Sequence, residues 1–378
     1  MLKLHGRVET SRNKLNRYQL LYVTKNNNIP EVVRSKYALI VNDKPVGGYG
    51  AYLDFEKQEL DIDNQFFMKD DFRYLSEGDV IRLDEKGNFA ALFRVSSPNN
   101  TILLTTRCNH YCLMCSQPPT TQDDSWILSE TMELLEMIPK NTQVMGYSGG
   151  EPTLYGDGFV NLLQKTKQCL PDTMLDVLTN GRAFANFDYA KKVASVQHPK
   201  LTFGIPIYSH DPVRHDFVVQ AKGAFDETIR GVVNLKGLGI RVEIRIVIHK
   251  LTIDDLIETC KYITRNLLFV DHVALMGLEI TGFTRANLDQ LWIDPFDYKD
   301  TLSRAVKILN DYQIPNSVYN HQLCVINQDV LGNYHHSISD WKNEFVEECK
   351  DCSKMNECGG FFSSSKQYKY SSHITPFK

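Results

Sequence analysis

The chain has 378 residues, with 42 Lys and Arg against 46 Asp and Glu, a net charge of −4 that excludes a global field for nucleic acid or an anionic membrane. Hydrophobic residues at 42% and charged residues at 23% suit a globular protein with one large domain and one or two small ones, and no run approaches the roughly 18 apolar residues of a membrane span. The start, Met1-Leu2-Lys3-Leu4-His5-Gly6-Arg7, has no apolar core of signal-peptide length, so nine cysteines point to metal or redox chemistry in a reducing cytoplasm rather than to disulfides.

Residues 1–98 read as a β-rich module. The stretch 37–44 is a strand running into turn chemistry continued by Pro45-Val46-Gly47-Gly48-Tyr49-Gly50. Residues 76–94 form two alternating runs joined through Lys86-Gly87-Asn88, a hairpin. Such a module could dock a peptide along an edge strand, or simply cap the rest of the chain.

From 99 to 318 the pattern changes to strand–helix repetition. Strands are expected at 102–106, 144–147, 174–178, 201–209, 241–248 and 270–276, with helices at 128–138, around 159–163, and at 189–196, 227–238, 251–263 and 298–312. Six β/α units are too few to close an eight-stranded barrel. The expected fold is therefore α/β, a partial (β/α)6 barrel open on one side, with ligands beyond the C-terminal ends of its strands.

Two motifs sit at those ends. After the first strand, Cys108, Cys112 and Cys115 stand at C-x3-C-x2-C spacing within Thr105-Thr106-Arg107-Cys108-Asn109-His110-Tyr111-Cys112-Leu113-Met114-Cys115. Three thiolates can hold three corners of a [4Fe–4S] cube and leave one iron open for catalysis, whereas four would close the site. The same spacing also suits a zinc knuckle completed by His110, or three separate buried thiols. After the second strand come Gly149, Gly150 and Glu151 in Gly146-Tyr147-Ser148-Gly149-Gly150-Glu151-Pro152-Thr153. Glycines let backbone approach a ligand closely, and Glu151 offers an acceptor for a cationic amino group. Alone, this second motif would be an ordinary turn before a helix.

Together the two motifs resemble the radical S-adenosylmethionine (radical SAM) superfamily. The resemblance implies a TIM-like partial barrel of the radical SAM type, a three-cysteine [4Fe–4S] cluster and S-adenosylmethionine (SAM) chelating its unique iron. It also implies cofactor contacts from Asn180 in Thr179-Asn180-Gly181, from Ser209 after the fourth strand, from Arg245 on the fifth and from Gly277 in Gly277-Leu278-Glu279-Ile280-Thr281-Gly282. Asn180 could instead belong to a simple turn, and Arg245 could be a surface arginine. The residue before the last cluster cysteine departs from the usual aromatic: it is Met114, which leaves its backbone to meet the adenine.

Residues 319–378 form a Cys-rich segment in which Cys324, Cys349, Cys352 and Cys358 suffice for one complete auxiliary [4Fe–4S] cluster, although a structural zinc site shares the spacing. Cys169 and Cys260 remain, both in predicted helices, as inert core thiols. This end resembles the first part of the SPASM-type motif, without the further cysteines that would follow Cys358.

Longer phrases are similar to the His-Xaa-Ser system radical SAM maturase (HxsC) subgroup. They are Leu103-Leu104-Thr105-Thr106-Arg107-Cys108-Asn109, Leu275-Met276-Gly277-Leu278-Glu279, Tyr319-Asn320-His321-Gln322-Leu323-Cys324 and Ser337-Ile338-Ser339-Asp340-Trp341-Lys342. That resemblance implies a ribosomally made precursor peptide with His-Xaa-Ser repeats as substrate, a low-potential electron donor, and a second radical SAM maturase as partner. Two other readings stay open: a radical SAM enzyme acting on a small molecule or on another enzyme's side chain, and a non-catalytic electron-transfer or zinc-binding scaffold.

Overall fold

The computed structural model describes residues 2–15, 17–42, 44–58, 60–336 and 344–378. The phrase Ser337-Ile338-Ser339-Asp340-Trp341-Lys342 lies outside them, as does Asp43 at the end of the first expected strand. Contacts divide the chain into two compact units, one of residues 2–100 with 130–143 and one of residues 101–129 with 144–378.

The first unit is built on an eight-stranded sheet. Its strands are β1 (His5–Arg7), β2 (Glu9–Ser11), β3 (Gln19–Thr24), β4 (Tyr37–Ile40), β5 (Ala51–Asp54), β6 (Gln65–Phe67), β7 (Val80–Leu83) and β8 (Asn88–Phe93), in the order β1-β8-β7-β3-β4-β5-β6-β2. The hairpin of β7 and β8 is antiparallel, and Asp84 caps its turn by accepting from the Lys86 and Asn88 amides. Gly87 has φ +75° there, and a Cβ would stand 2.2 Å from the Val8 carbonyl oxygen, so only glycine fits. Composition did not reveal that β3 through β6 pair in parallel. Strands of three to six residues carry too little alternation to announce their partners. Leu21, Val23, Leu53, Phe66, Phe72, Ile81 and Phe89 form the core.

The second unit is built on a seven-stranded sheet, β9 (Asn100–Thr105), β10 (Val144–Gly149), β11 (Met174–Leu178), β12 (Leu201–Pro206), β13 (Arg241–Ile248), β14 (His272–Gly277) and β15 (Asn316–Tyr319), in sequential order with β9 and β15 at its edges. Every register from β10 to β15 is parallel. Successive β/α crossovers give this order, because each helix returns the chain to the next strand's start. The helices Ser125–Leu134, Asp157–Cys169, Phe187–Ser195, Ala224–Gly237, Leu256–Asn266 and Lys299–Asp311 are the six expected ones, within a few residues of their expected bounds. This is an α/β fold with an open, barrel-like parallel sheet.

Strand β13 shows how the two faces separate. Val242, Ile244, Ile246 and Ile248 are buried, while Glu243, Arg245 and Val247 stand half-buried on the opposite face, the period-2 alternation of a strand with one polar side. Among the elements that escaped the sequence pattern, two bear on the site. Strand β15 is only four residues, Asn-Ser-Val-Tyr, too short to read as a strand. The helix Pro212–Val219, begun by Asp211 capping the Val213 amide with proline at its first turn, interrupts the link between β12 and Ala224–Gly237. Among the described residues no helix is long and apolar enough to cross a membrane.

Candidate functional site

The loop carrying Cys108, Cys112 and Cys115 leaves the C-terminal end of β9. Asp124 anchors its start. This carboxylate accepts from the Thr105 hydroxyl at 3.0 Å, the Thr106 hydroxyl at 2.9 Å and Arg107 Nε at 3.0 Å. Burial alone would raise Asp124, but those donors hold it below the ordinary carboxylate value. Further along, the Tyr111 and Leu113 amides donate to the Val219 and Val218 carbonyls, which fastens the loop to the end of helix Pro212–Val219. The far side is clamped from the segment after β14. Asn287 donates to the Leu113 carbonyl at 2.9 Å, Thr284 to that of Met114 at 3.1 Å, and the Phe283 amide to that of Cys115 at 2.8 Å. Gly282 makes this approach feasible: a Cβ would stand 2.3 Å from the Cys115 carbonyl oxygen.

The three thiols stand half-buried on this loop. Burial pushes Cys108 up to about 11, with Glu151 and Cys115 adding to the rise, and raises Cys112 further, with Cys115 and Cys108 adding to it. Cys115 is raised as well, and its thiol faces the Gln117 carbonyl at 3.0 Å. Thiols raised together by burial and by one another suit a strongly cationic guest, which would reverse the balance and hold them as thiolates. His110 Nδ1 lies 4.0 Å from Cys112 Sγ, Nε2 is buried without a partner, and burial lowers the imidazole to about 3, so it stays neutral.

Gly149 and Gly150 have an immediate structural reason to be glycine. A Cβ at Gly149, where φ is +144°, would stand 2.4 Å from the Thr105 carbonyl oxygen, and one at Gly150 would stand 2.1 Å from that of Arg107. The Gly150 and Glu151 amides donate to those same two carbonyls at 2.7 and 2.8 Å. The end of β10 is thus laid directly on the root of the cysteine loop. Glu151 is 1% exposed and already well supplied with donors. Oε1 accepts from the Thr153 amide and hydroxyl and from the Thr179 hydroxyl, and Oε2 accepts from the Asn180 amide at 2.7 Å. Burial raises its pKa in spite of those bonds. Oε2, with one donor, retains a lone pair for a ligand amine. Asn180 in turn donates from its side chain to Asn109 Oδ1 at 2.6 Å, tying the end of β11 to the cysteine loop.

The other expected cofactor contacts are placed as follows. Ser209 is fully buried, donating to Asp255 at 2.7 Å and accepting from the Asp211 amide, so its proton is engaged within the protein. Arg245 uses Nε on Glu243 Oε1 at 2.7 Å. Met114 packs with Tyr208, Val218, Val219 and Leu291 against Cys112 and Leu113. Gly277 ends β14, where a Cβ would stand 2.4 Å from the Asn320 carbonyl oxygen. Cys108, Met114, Gly150, Glu151 and Asn180 therefore gather at one end of the sheet around the loop. Sequence reasoning passed over Asp124, Thr284, Asn287 and Tyr208, because each acts through contacts 15 or more residues distant.

Cys324, Cys349, Cys352 and Cys358 line one pocket walled by Leu323, Phe345, Met355, Ile374, Pro376 and Phe377. Burial raises Cys324 and Cys349, with Cys358 adding to both. Tyr334 braces this site, donating to the His321 carbonyl and accepting from the Gly359 amide. Cys260 is fully buried within its helix, and Cys169 ends another. Among the described residues no three His, Cys, Asp or Glu side chains close around a single-ion position.

Residues 102–263 match the family model of the radical SAM superfamily. Over 180 residues the chain is 27% identical to a probable GTP 3′,8-cyclase of Methanocella arvoryzae, a match covering 47% of this chain and 56% of that protein. The chain thus spans little more than half the length of that curated relative. Among solved structures it is similar to native anSMEcpe with bound AdoMet, with TM-score 0.50 and 15% identity over 73% of this chain and 92% of that one. It is also similar to Streptococcus suis SuiB bound to S-adenosylmethionine, with TM-score 0.48 and 16% identity over 59% of this chain and 50% of that one. The first of these likenesses carries the shared fold.

Proposed function

We propose that this chain, whose residues 102–263 match the radical SAM family model, is a peptide-modifying radical SAM enzyme. The observation that carries the proposal is a loop bearing three half-buried thiols that Gly149, Gly150 and Glu151 pin to the C-terminal end of a parallel sheet. When bound, a [4Fe–4S] cluster supplies the electron that splits the sulfonium C–S bond of SAM into methionine and a 5′-deoxyadenosyl radical.

Cys108, Cys112 and Cys115 would hold three irons and leave the fourth for the amino and carboxylate groups of SAM. Glu151 Oε2 offers its remaining lone pair to the amine, and the terminal nitrogens of Arg245 a bidentate fork to the carboxylate. Met114 and Tyr208 exclude water from the cysteine side. Gly277 and the backbone of Met114 are assigned to the adenine and Asn180 to a polar contact with the ribose, while Ser209, fully buried with its hydroxyl on Asp255, is assigned no direct contact.

The four cysteines of the C-terminal cavity are assigned to an auxiliary [4Fe–4S] cluster in a domain of residues 319–378, beside a barrel of 99–318 and an N-terminal module of 1–98. The substrate we assign is a precursor peptide with His-Xaa-Ser repeats, processed with a low-potential electron donor and a second radical SAM maturase in the cytoplasm. The subgroup phrases around Cys108, Gly277 and Cys324 support it, as does a sheet whose edge strands β9 and β15 are not paired with each other.

The test is anaerobic reconstitution. The protein should bind about eight irons if two [4Fe–4S] clusters form, should make 5′-deoxyadenosine from SAM and a reductant, and should change the mass of a co-expressed His-Xaa-Ser peptide. Zinc without iron would overturn the enzyme.

A further inference from the structure

One residue of the cysteine loop turns two nitrogens toward its sulfurs. The His110 amide donates to Cys108 Sγ at 3.4 Å, and His110 Nδ1 lies 4.0 Å from Cys112 Sγ, the long reach of a hydrogen bond to sulfur. The residue is 3% exposed, so bulk water does not compete for the ring. Its neighbours in the chain are fastened on both sides. Asn109 Oδ1 accepts from the Asn180 side chain at 2.6 Å, and the Tyr111 amide donates to the Val219 carbonyl at 3.1 Å. The Cys115 amide closes the turn on the Cys112 carbonyl at 3.0 Å.

Two plainer roles for this imidazole fit less well. As packing it is a poor choice, because Nε2 is buried with no partner among the described residues, and buried polar groups are normally paired. As the fourth ligand of a zinc knuckle it lacks a centre. The loop's cysteines and His110 are all among the described residues, and no three His, Cys, Asp or Glu side chains there close around a single-ion position. What remains is the Nδ1 edge of the ring, held against one sulfur.

We propose that His110 is a positioning residue for the catalytic cluster, its Nδ1–H donating to Cys112 Sγ and its own amide to Cys108 Sγ, so that the cluster is easier to reduce. The assignment rests on the radical SAM function proposed above. Chemistry fixes the tautomer. A sulfur bound to iron is a thiolate and can only accept, so the single proton of the neutral ring sits on Nδ1 and leaves Nε2 bare. Thiolates that accept hydrogen bonds favour the reduced form, which carries one more negative charge, over the oxidised form. The electron comes from the low-potential donor, no bond at His110 breaks, and the proton stays on Nδ1.

The experiment is a redox titration of the reconstituted full chain without SAM or peptide, followed by electron paramagnetic resonance. A Cys352→Ala background leaves the loop cluster as the reporter. His110→Phe keeps a ring and loses the side-chain donor, and should shift the potential to a more negative value. His110→Asn should restore it, because the amide nitrogen stands the same number of bonds from the backbone as Nδ1. A second measurement needs no change of shape. With ¹⁵N-histidine in the chain, the reduced cluster should show one weak nitrogen coupling in pulsed electron paramagnetic resonance, and His110→Asn should remove it.

A potential that His110→Phe leaves unmoved at equal iron content, or a shift that His110→Asn does not reverse, would overturn the hydrogen bond while leaving the enzyme intact. The coupling decides the matter where His110→Phe takes up no iron. A strong coupling would make the imidazole a direct ligand, and a coupling absent or unchanged in His110→Asn would remove His110 from the cluster's surroundings. A chain that forms no [4Fe–4S] cluster under any condition would overturn both the inference and the function beneath it.

Discussion

The two cysteine sites differ in what holds their sulfurs. Cys108, Cys112 and Cys115 ride on a loop stitched to sheet ends, helix Pro212–Val219 and the segment after β14 by backbone groups of Thr105, Arg107, Tyr111, Leu113, Met114 and Cys115. Cys349, Cys352 and Cys358 lie in a stretch of short 3-10 turns, with apolar side chains forming the cavity wall. The first site is preorganised by the fold; the second has little regular structure and would draw its order from whatever binds the thiols. A catalytic centre that must hold a ligand in a set geometry needs the former, and a four-ligand site closed on itself tolerates the latter.

That contrast can be broken by experiment. Cys112→Ala should reduce 5′-deoxyadenosine formation to background, since one corner of the catalytic site is lost. Cys352→Ala should lower bound iron from about eight to about four per chain while cofactor-free stability, read by urea unfolding, barely moves. Gly150→Ala presses a methyl group onto the Arg107 carbonyl and should cost about 3 kcal/mol by the same measurement; a neutral result would show the loop root to be pliant.

Asp124→Asn removes the charged acceptor at that root and should cost about 2 kcal/mol at neutral pH. Its pH dependence has a definite sign. The folded pKa lies below the ordinary 3.8, so the ionised group contributes stability above that value and loses it as pH falls below. The gap between wild type and Asp124→Asn should therefore close on acidification below pH 3.8. Thr284→Val, which deletes one neutral hydrogen bond to the Met114 carbonyl, should be mildest at about 1 kcal/mol.

Much of the second unit was legible from residues alone. Alternation and helical periodicity placed six strands and six helices, because each long segment repeats its apolar pattern several times. Strand β15 was missed because four residues repeat nothing, and its omission hid Ser317 and Tyr319 as members of a shared face. In the first unit the β7–β8 hairpin announced itself through Gly87, whereas the parallel pairing of β3 to β6 did not, since short strands do not encode their neighbours. Glu151 and Ser209 were chosen by motif position, and the structure adds protein partners to both carboxylate and hydroxyl that no local spacing could display.

By itself the sequence determined which atoms are available for chemistry: three thiols at fixed spacing, two glycines with a carboxylate after the next strand, four thiols near the end. Spacing along one loop is a local property, and local properties survive in one dimension. The tertiary structure alone decided what those atoms face. It placed Asp124 under Thr105, Asn180 beside Asn109, and His272 between Glu243 and Ser317, because such contacts arise only when strands distant in sequence come into register.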